Sequence, residues 1–80
     1  MTIGEALARR IDGYCKERKI TLNKLCILSG VTQSTVHDVF TGRSRSPRVD
    51  TIYNLCIGLD ISISEFFDSP LFNEDNIQTN

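Results

Sequence analysis

The sequence predicts an all-α protein built from five short helices, and three observations support this fold class. Apolar residues recur at steps of three and four, hydroxyl-bearing residues stand where these segments begin, and glycines stand where several of them end. No two segments alternate apolar and polar residues as a pair of strands would. Eighty residues suit one domain with a small core.

The first helix is predicted from Ile3 to about Lys19. Its apolar side chains share one face at helical spacing: Ile3, Leu7, Ile11 and Tyr14. Gly13 weakens this helix by roughly 1 kcal/mol relative to Ala without ending it.

Two helices in close succession are predicted next. Thr21 can cap the first of them with its hydroxyl, and Gly30 can end it because glycine adopts the left-handed conformation without steric cost. Only two residues later Thr32 is again a cap candidate. A helix from Gln33 to about Phe40 follows, and Gly42 closes it.

The remaining two helices lie beyond a polar loop, "RSRSPR", in which Pro47 disfavours a helical residue before it. The fourth helix is predicted over residues 49–58. The stretch "SISE" reads as a capping box between Ser62 and Glu65 that opens a short fifth helix. Residues 1–68 then form the folded domain, and residues 69–80 a flexible acidic tail.

The charge distribution is uneven although the formal net charge is −1. All nine Lys and Arg residues lie in residues 1–59 with five acids, whereas residues 60–80 contain five acids and no cation. There is no apolar run of membrane length and no signal-peptide pattern, so we expect a cytoplasmic protein. Three cysteines without C-x-x-C spacing argue against a disulfide framework.

The junction at Gly30 has the pattern of a helix-turn-helix. Two helices can cross closely at a tight turn if the contact residue is small, the turn residue tolerates positive φ, and the second helix returns an apolar side chain to the core. Cys26, Gly30 and Val36 meet these three demands.

From these residues onward the sequence resembles the phage-repressor-like family, which includes lambda repressor, Cro and the XRE regulators. The resemblance covers roughly residues 7–67 and includes "ITLNKLCILSGVTQSTVHDVFTGRSRSPRVDTIYNLCIGLDISISEFF". It implies a five-helix lambda-repressor-like DNA-binding domain with the helix-turn-helix at helices 2 and 3, and a recognition helix at residues 33–41 that lies in the major groove.

The resemblance also implies which residues touch DNA. Candidate base contacts come from polar side chains that match base edges in the major groove: Gln33, Ser34, Thr35, His37 and Asp38. Candidate backbone contacts lie at the caps, in the second helix and around the arginine loop: Thr21, Asn23, Lys24, Thr32, Arg43, Arg45 and Arg48. A solvated polar face explains His37 and Asp38 equally well.

The sequence departs from the family pattern at two places. Many relatives carry Gln just after the cap of the second helix, where it steadies the first recognition residue. Leu22 stands there, so the contact is absent or comes from Asn23, Lys24 or the backbone. Several relatives also have an Arg–Glu ion pair where this chain has Cys15 and Phe40, for which we expect an apolar contact instead.

No enzymatic activity, cofactor, metal or small-molecule ligand is predicted. The three cysteines and His37 lack the spacing of zinc ligands, and His37 has no neighbouring nucleophile and orienting group. Cys26 and Cys56 fall where the family usually has alanine, so we expect them to be small buried hydrophobes.

The predicted function is transcriptional repression by a homodimer on double-stranded DNA with a pseudo-palindromic operator. Helix five and the tail are the expected dimer surface, around Ile63, Phe66, Phe67, Leu71 and Phe72, unless the two adjacent phenylalanines are split between core and surface. The alternative is a protein-interaction module, such as an antitoxin or an anti-repressor that docks through its acidic tail.

Overall fold

The computed structural model describes residues 1–41, 43 and 47–78. Every regular element within these residues is a helix, and none is a strand. The helices are α1 Ile3–Arg18, α2 Leu22–Ser29, α3 Gln33–Phe40, α4 Val49–Leu59 and α5 Ile63–Phe67, followed by the 3₁₀ turns Pro70–Phe72 and Glu74–Asn76. The predicted all-α, five-helix fold class is confirmed.

Side-chain caps open four of the five helices. The Thr21, Thr32 and Ser62 hydroxyls each accept from the backbone N–H three residues on, as the sequence predicts. A complete capping box also forms between Thr2 and Glu5, and it was not predicted from the sequence. At α5 only the serine half of the predicted box forms, since the Glu65 carboxylate accepts instead from the Tyr14 hydroxyl at 3.3 Å.

The helix ends agree only partly with the predicted glycines. Gly30 adopts a φ of 70° and its N–H donates to the Cys26 carbonyl at 2.9 Å, which confirms its role at the turn. The fourth helix, predicted to end at about Gly58, extends one residue further to Leu59, and Asp60 takes the left-handed conformation with a φ of 57°. The predicted stop at Gly42 lies outside the described residues.

Gly58 allows α4 to approach α2 closely. A Cβ atom at this position would lie 2.9 Å from both the Cβ and the backbone N of Ser29, the last residue of α2. Ordinary carbon–carbon contacts are about 3.5–4.0 Å. The glycine is therefore required for helix packing, not for ending its own helix.

The core takes side chains from all five helices. Its largest fully buried members are Phe66, Ile11, Leu25, Leu55, Leu59 and Val36. All three cysteines are buried free thiols, and burial raises the pKa of the Cys15 and Cys56 thiols above the usual range. Cys15 belongs to the core cluster and Phe40 packs against that cluster, which agrees with an apolar replacement of the family's ion pair.

Arg10 connects α1 to the end of α5. Its guanidinium donates to the backbone carbonyls of Phe66 and Glu65, both at 2.8 Å, and to the Tyr14 hydroxyl at 3.0 Å. The same group lies 4.6 Å from the centre of the Tyr14 ring. The bond to Phe66 satisfies a carbonyl that a helix leaves unpaired at its C-terminal end, while the Glu65 carbonyl also accepts from the Asp68 N–H at 3.2 Å.

The two adjacent phenylalanines of α5 face in different directions. Phe66 is fully buried and Phe67 is 40% exposed. The expectation that Phe66 contributes to a dimer surface is therefore wrong, because a side chain inside the core is not available to a partner.

The first residues of the tail run along the domain. Phe72 packs against the core cluster and its ring lies 4.9 Å from that of Phe67. The Met1 amine donates to the Asn76 carbonyl at 2.9 Å, and the Gln78 N–H donates to the Met1 carbonyl at 2.7 Å. The division of the chain at residue 68 stays a prediction. Within the described ranges no helix is long and apolar enough to cross a membrane.

Candidate nucleic-acid interface

The α2–α3 unit is held by local interactions at its turn. Gly30 and Val31 separate the end of α2 from the Thr32 cap of α3. The Ser29 hydroxyl accepts from the Val31 N–H at 3.3 Å, so the turn satisfies its own backbone. Val36 and Leu25 then anchor the two helices in the shared core. This arrangement fixes α3 relative to α2 and leaves one face of α3 outside the core.

That face carries four of the five predicted base contacts. The exposed side chains of α3 include Gln33, Ser34, His37 and Asp38, which at 100° per residue span an arc of about 140°. Val36 and Val39 are buried on the opposite side. The two residues left undecided by the sequence, His37 and Asp38, therefore lie on the same surface as Gln33 and Ser34.

Thr35 is placed differently from these four residues. It is half-buried, its N–H donates to the Thr32 hydroxyl oxygen at 3.4 Å, and its own hydroxyl accepts from the Thr32 hydroxyl at 2.8 Å. A base contact through Thr35 stays a prediction, while its position beside the cap gives it a structural role at the start of α3.

Asn23 of α2 orients the first residue of α3. The Gln33 amide nitrogen Nε2 donates to Asn23 Oδ1 at 2.5 Å, and both side chains are exposed. The sequence left open whether Asn23, Lys24 or the backbone substitutes for the glutamine that relatives carry at the position of Leu22. The structure assigns the contact with Gln33 to Asn23, one residue further along α2.

A groove runs between α2 and α3 beside this amide pair. Its apolar lining residues include Leu22, Cys26 and Val36, and its polar lining residues include Asn23, Gln33 and His37. From the sequence, Cys26 and Val36 were predicted only to pack within the helix-turn-helix. Helical spacing indicates which residues face inward, but the groove itself appears only when two helices are placed together.

The predicted backbone contacts of α2 and the α3 cap lie on the surface. Thr21, Lys24 and Thr32 are exposed, and the Lys24 N–H donates to the Thr21 hydroxyl oxygen at 3.1 Å. The Thr21 hydroxyl proton is not used by this bond. Both the hydroxyl and the Lys24 ammonium are therefore able to donate to a phosphate oxygen.

The loop arginines are described in part. Arg43 is exposed, and Arg45, also a predicted backbone contact, lies outside the described residues. Arg48 stands at the cap position of α4 without a side-chain capping bond. Its Nε lies 3.2 Å from Asp50 Oδ1, and that oxygen also accepts from the Thr51 N–H.

Asp50 offsets the unfavourable position of the Arg48 charge at the start of α4. A cation beside a helix N-terminus is unfavourable by itself, and a nearby negative charge compensates it. The Asp50 carboxylate already supplies negative charge in the first turn. The Arg48 side chain is nonetheless 82% exposed, so its guanidinium stays accessible to a phosphate.

The chain around the two helices is cationic. Residues 19–48 contain five Lys and Arg residues and a single acid, for a net charge of +4, whereas the five acids of residues 60–80 lie beyond α4. A cationic segment of this kind attracts a polyanion through a salt-dependent interaction. No cluster of three metal-ligating side chains occurs in the part of the chain that the structure describes.

Together, the turn at Gly30, the polar face of α3 and the cationic surround define a DNA-binding domain of the helix-turn-helix class. The chain belongs to the family of Cro/C1-type helix-turn-helix DNA-binding domains, whose model matches residues 10–70. This match confirms the resemblance to phage-repressor-like XRE regulators.

A solved structure of similar fold comes from a phage source. The crystal structure of the prophage Lp1 protein 11 is similar to this chain, with a TM-score of 0.81 and 38% sequence identity over 92% of this chain and 97% of that chain. Comparison with curated proteins gave no match.

Proposed function

We propose that this protein binds double-stranded DNA sequence-specifically and represses transcription by occupying a promoter in the cytoplasm as a homodimer on a pseudo-palindromic operator. The observation that supports it best is the Gln33–Asn23 bond on the exposed face of α3. A helix-turn-helix places the N-terminal residues of its second helix against base edges. Gln33 is the first residue of that helix.

The amide pair prepares Gln33 to read adenine. One Nε2 hydrogen is engaged by Asn23, which leaves a second N–H donor and the Oε1 acceptor on Gln33. Adenine presents an acceptor at N7 and a donor at N6 in the major groove, the complement of that arrangement. The Asn23 amide keeps its two N–H donors, which suit a phosphate oxygen.

Single variants at the two positions separate base reading from backbone binding. Gln33→Ala removes the reading amide, so discrimination at one base pair should fall by about 1–3 kcal/mol with an unchanged salt dependence. Asn23→Asp keeps an acceptor for Gln33 but replaces the phosphate donors with a negative charge. It should weaken binding to all sequences while the preference at that base pair remains.

The experiment is a selection of bound duplexes from a random pool at stated salt, followed by affinity measurements on the selected site. Lys24→Ala serves as the backbone control, since loss of one phosphate contact lowers the salt slope by about one unit without changing the preferred sequence. Failure to enrich any sequence, or binding that does not respond to salt, would refute the proposal.

A homodimer follows from the small number of bases that one helix reads. A second copy whose recognition helix lies about 34 Å away on the same DNA face adds the missing specificity. The alternative of a docking module with an acidic tail has less support. Residues 70–78 contact their own domain through Phe72 and through the backbone of Met1.

A further inference from the structure

Most of the exposed large hydrophobic side chains belong to helices other than α2 and α3. Seven large hydrophobic side chains are exposed among the described residues, and five of them belong to α1, α4 and α5. We call this surface the α4 face and define it by these five side chains: Ile3, Val49, Tyr53, Ile57 and Phe67.

The α4 face combines a ridge with a groove. Val49, Tyr53 and Ile57 follow one another at intervals of four along α4 and are 74%, 53% and 55% exposed. Beside Val49 is an apolar groove whose lining includes Ile3, Phe67 and the buried Leu7 and Ile52. Among the residues that the structure describes, none that lines this groove is charged.

We propose that a second copy of this chain occupies the α4 face, so that the homodimer forms through α4. This inference rests on the proposed function, which requires two copies on one operator. A two-fold interface pairs one patch with itself, and it therefore needs protruding and recessed elements within the same patch. The ridge and groove of the α4 face supply both.

Charge and position also favour a second copy. Among the described residues, Arg48 and Asp50 flank Val49 with opposite charges that lie 3.2 Å apart, and this pair adds no net charge where two identical faces would meet. The α4 face contains no residue of α2 or α3. Gly58, which contacts α2, is about 140° around α4 from Tyr53. A copy seated on this face therefore leaves the DNA-reading surface free.

The size of the face sets the expected strength. At roughly 100 Å² for each exposed side chain, the five residues offer on the order of 500 Å² per copy. A standard interface buries about 800 Å² per partner. The dimer should consequently be weak in solution and form mainly on DNA, where neighbouring half-sites hold two copies at an effective concentration on the order of mM.

Sedimentation equilibrium of the full chain tests the face directly, over concentrations on the order of 10 μM to 1 mM. Ile57→Glu should lower the association constant at least tenfold. Val49→Glu should do the same, and it is expected to fold because a carboxylate is favourable in the first turn of a helix. Ile27→Glu is the matched control, since Ile27 is 68% exposed on α2 outside the α4 face and should associate like the wild type.

A second measurement on DNA separates this inference from the proposed function. On the selected operator the wild type should bind cooperatively. Ile57→Glu should lose that cooperativity while keeping its affinity for an isolated half-site within about twofold. If both α4 variants associate like the wild type, or if Ile27→Glu is equally impaired, the α4 face is not the interface. If the wild type stays monomeric and binds the two half-sites independently, a second copy does not occupy the α4 face and the inference is overturned. Absence of any selected duplex would instead refute the proposed function.

Discussion

Replacing Gly58 with alanine tests whether the close approach of α4 to α2 is tight. The new Cβ would lie 2.9 Å from the Ser29 Cβ and backbone N and 3.0 Å from its Cα. These distances are at least 0.5 Å shorter than an ordinary carbon–carbon contact of about 3.5–4.0 Å. Because the atoms that are met belong to the backbone and to Cβ, no side-chain rotation relieves the overlap, and the two helices must separate.

The expected free-energy change has two opposing contributions. Overpacking of this kind costs about 1–3 kcal/mol. The gain in helix propensity from glycine to alanine returns about 1 kcal/mol. Gly58→Ala should therefore lower the free energy of unfolding by up to about 2 kcal/mol.

Gly13 provides the matched control for the propensity contribution. It lies inside α1, is exposed, and an added Cβ there would meet no atom within 4 Å. Gly13→Ala should raise the free energy of unfolding by about 0.5–1 kcal/mol. The difference between the two variants isolates the overpacking cost because the propensity gain is common to both.

Urea unfolding followed by circular dichroism at equal protein concentration measures both variants, and the midpoint shifts at constant slope give the two free energies. In a thermal scan each 1 kcal/mol should move the midpoint by about 4–8 °C. If Gly58→Ala proves as stable as Gly13→Ala, the α2–α4 contact is not tight and the reasoning fails.

Three other predictions concern the ends of α1 and α5 and the thiols. Arg10→Met keeps an apolar stem, but it removes the donor to the Phe66 carbonyl and one of the two donors to the Glu65 carbonyl. It should lower the free energy of unfolding in urea by about 1–3 kcal/mol, and a change below about 0.5 kcal/mol would contradict this. Backbone and hydroxyl hydrogen bonds from Thr2 hold the pKa of Glu5 below its usual value of 4.5, so the carboxylate stabilises the fold above that pH and the contribution is lost as pH falls through the lowered pKa. Glu5→Gln should consequently melt below the wild type at neutral pH, and the gap should close once acid has protonated the Glu5 carboxylate; a gap that persists after protonation would count against the capping box. Burial raises the pKa of the Cys15 and Cys56 thiols, so an aromatic disulfide reagent should label these two only slowly at pH 8 until urea unfolds the chain. Immediate reaction of more than one of the three thiols would show that Cys15 or Cys56 is reachable.

The elements that depend on near neighbours in the chain could be predicted from the sequence alone. The caps at Thr21, Thr32 and Ser62 and the turn at Gly30 could be predicted because each acts within four residues along the chain. The inward face of each helix follows from its 3.6-residue period for the same reason. The candidate DNA-reading residues of α3 could also be predicted from the sequence, because the helical period and the surrounding motif determine which of its side chains are exposed.

The side-chain contacts between those elements depend instead on how the helices pack. The sequence places Gly58 near the end of the fourth helix, but its position against Ser29 depends on the crossing of α2 and α4. The bond from Gln33 to Asn23 depends on how the two helices of the motif are set at the turn.

Helix packing also determines the different positions of the two phenylalanines of α5 and the contact of Arg10 with that helix. Phe66 and Phe67 are adjacent in the sequence, and the direction of the α5 axis relative to α1 determines which of them enters the core. Arg10 reaches carbonyls more than fifty residues away. Contacts between distant segments depend on the complete packing of the helices, whereas the periodic pattern of the sequence encodes only which face of each helix turns inward.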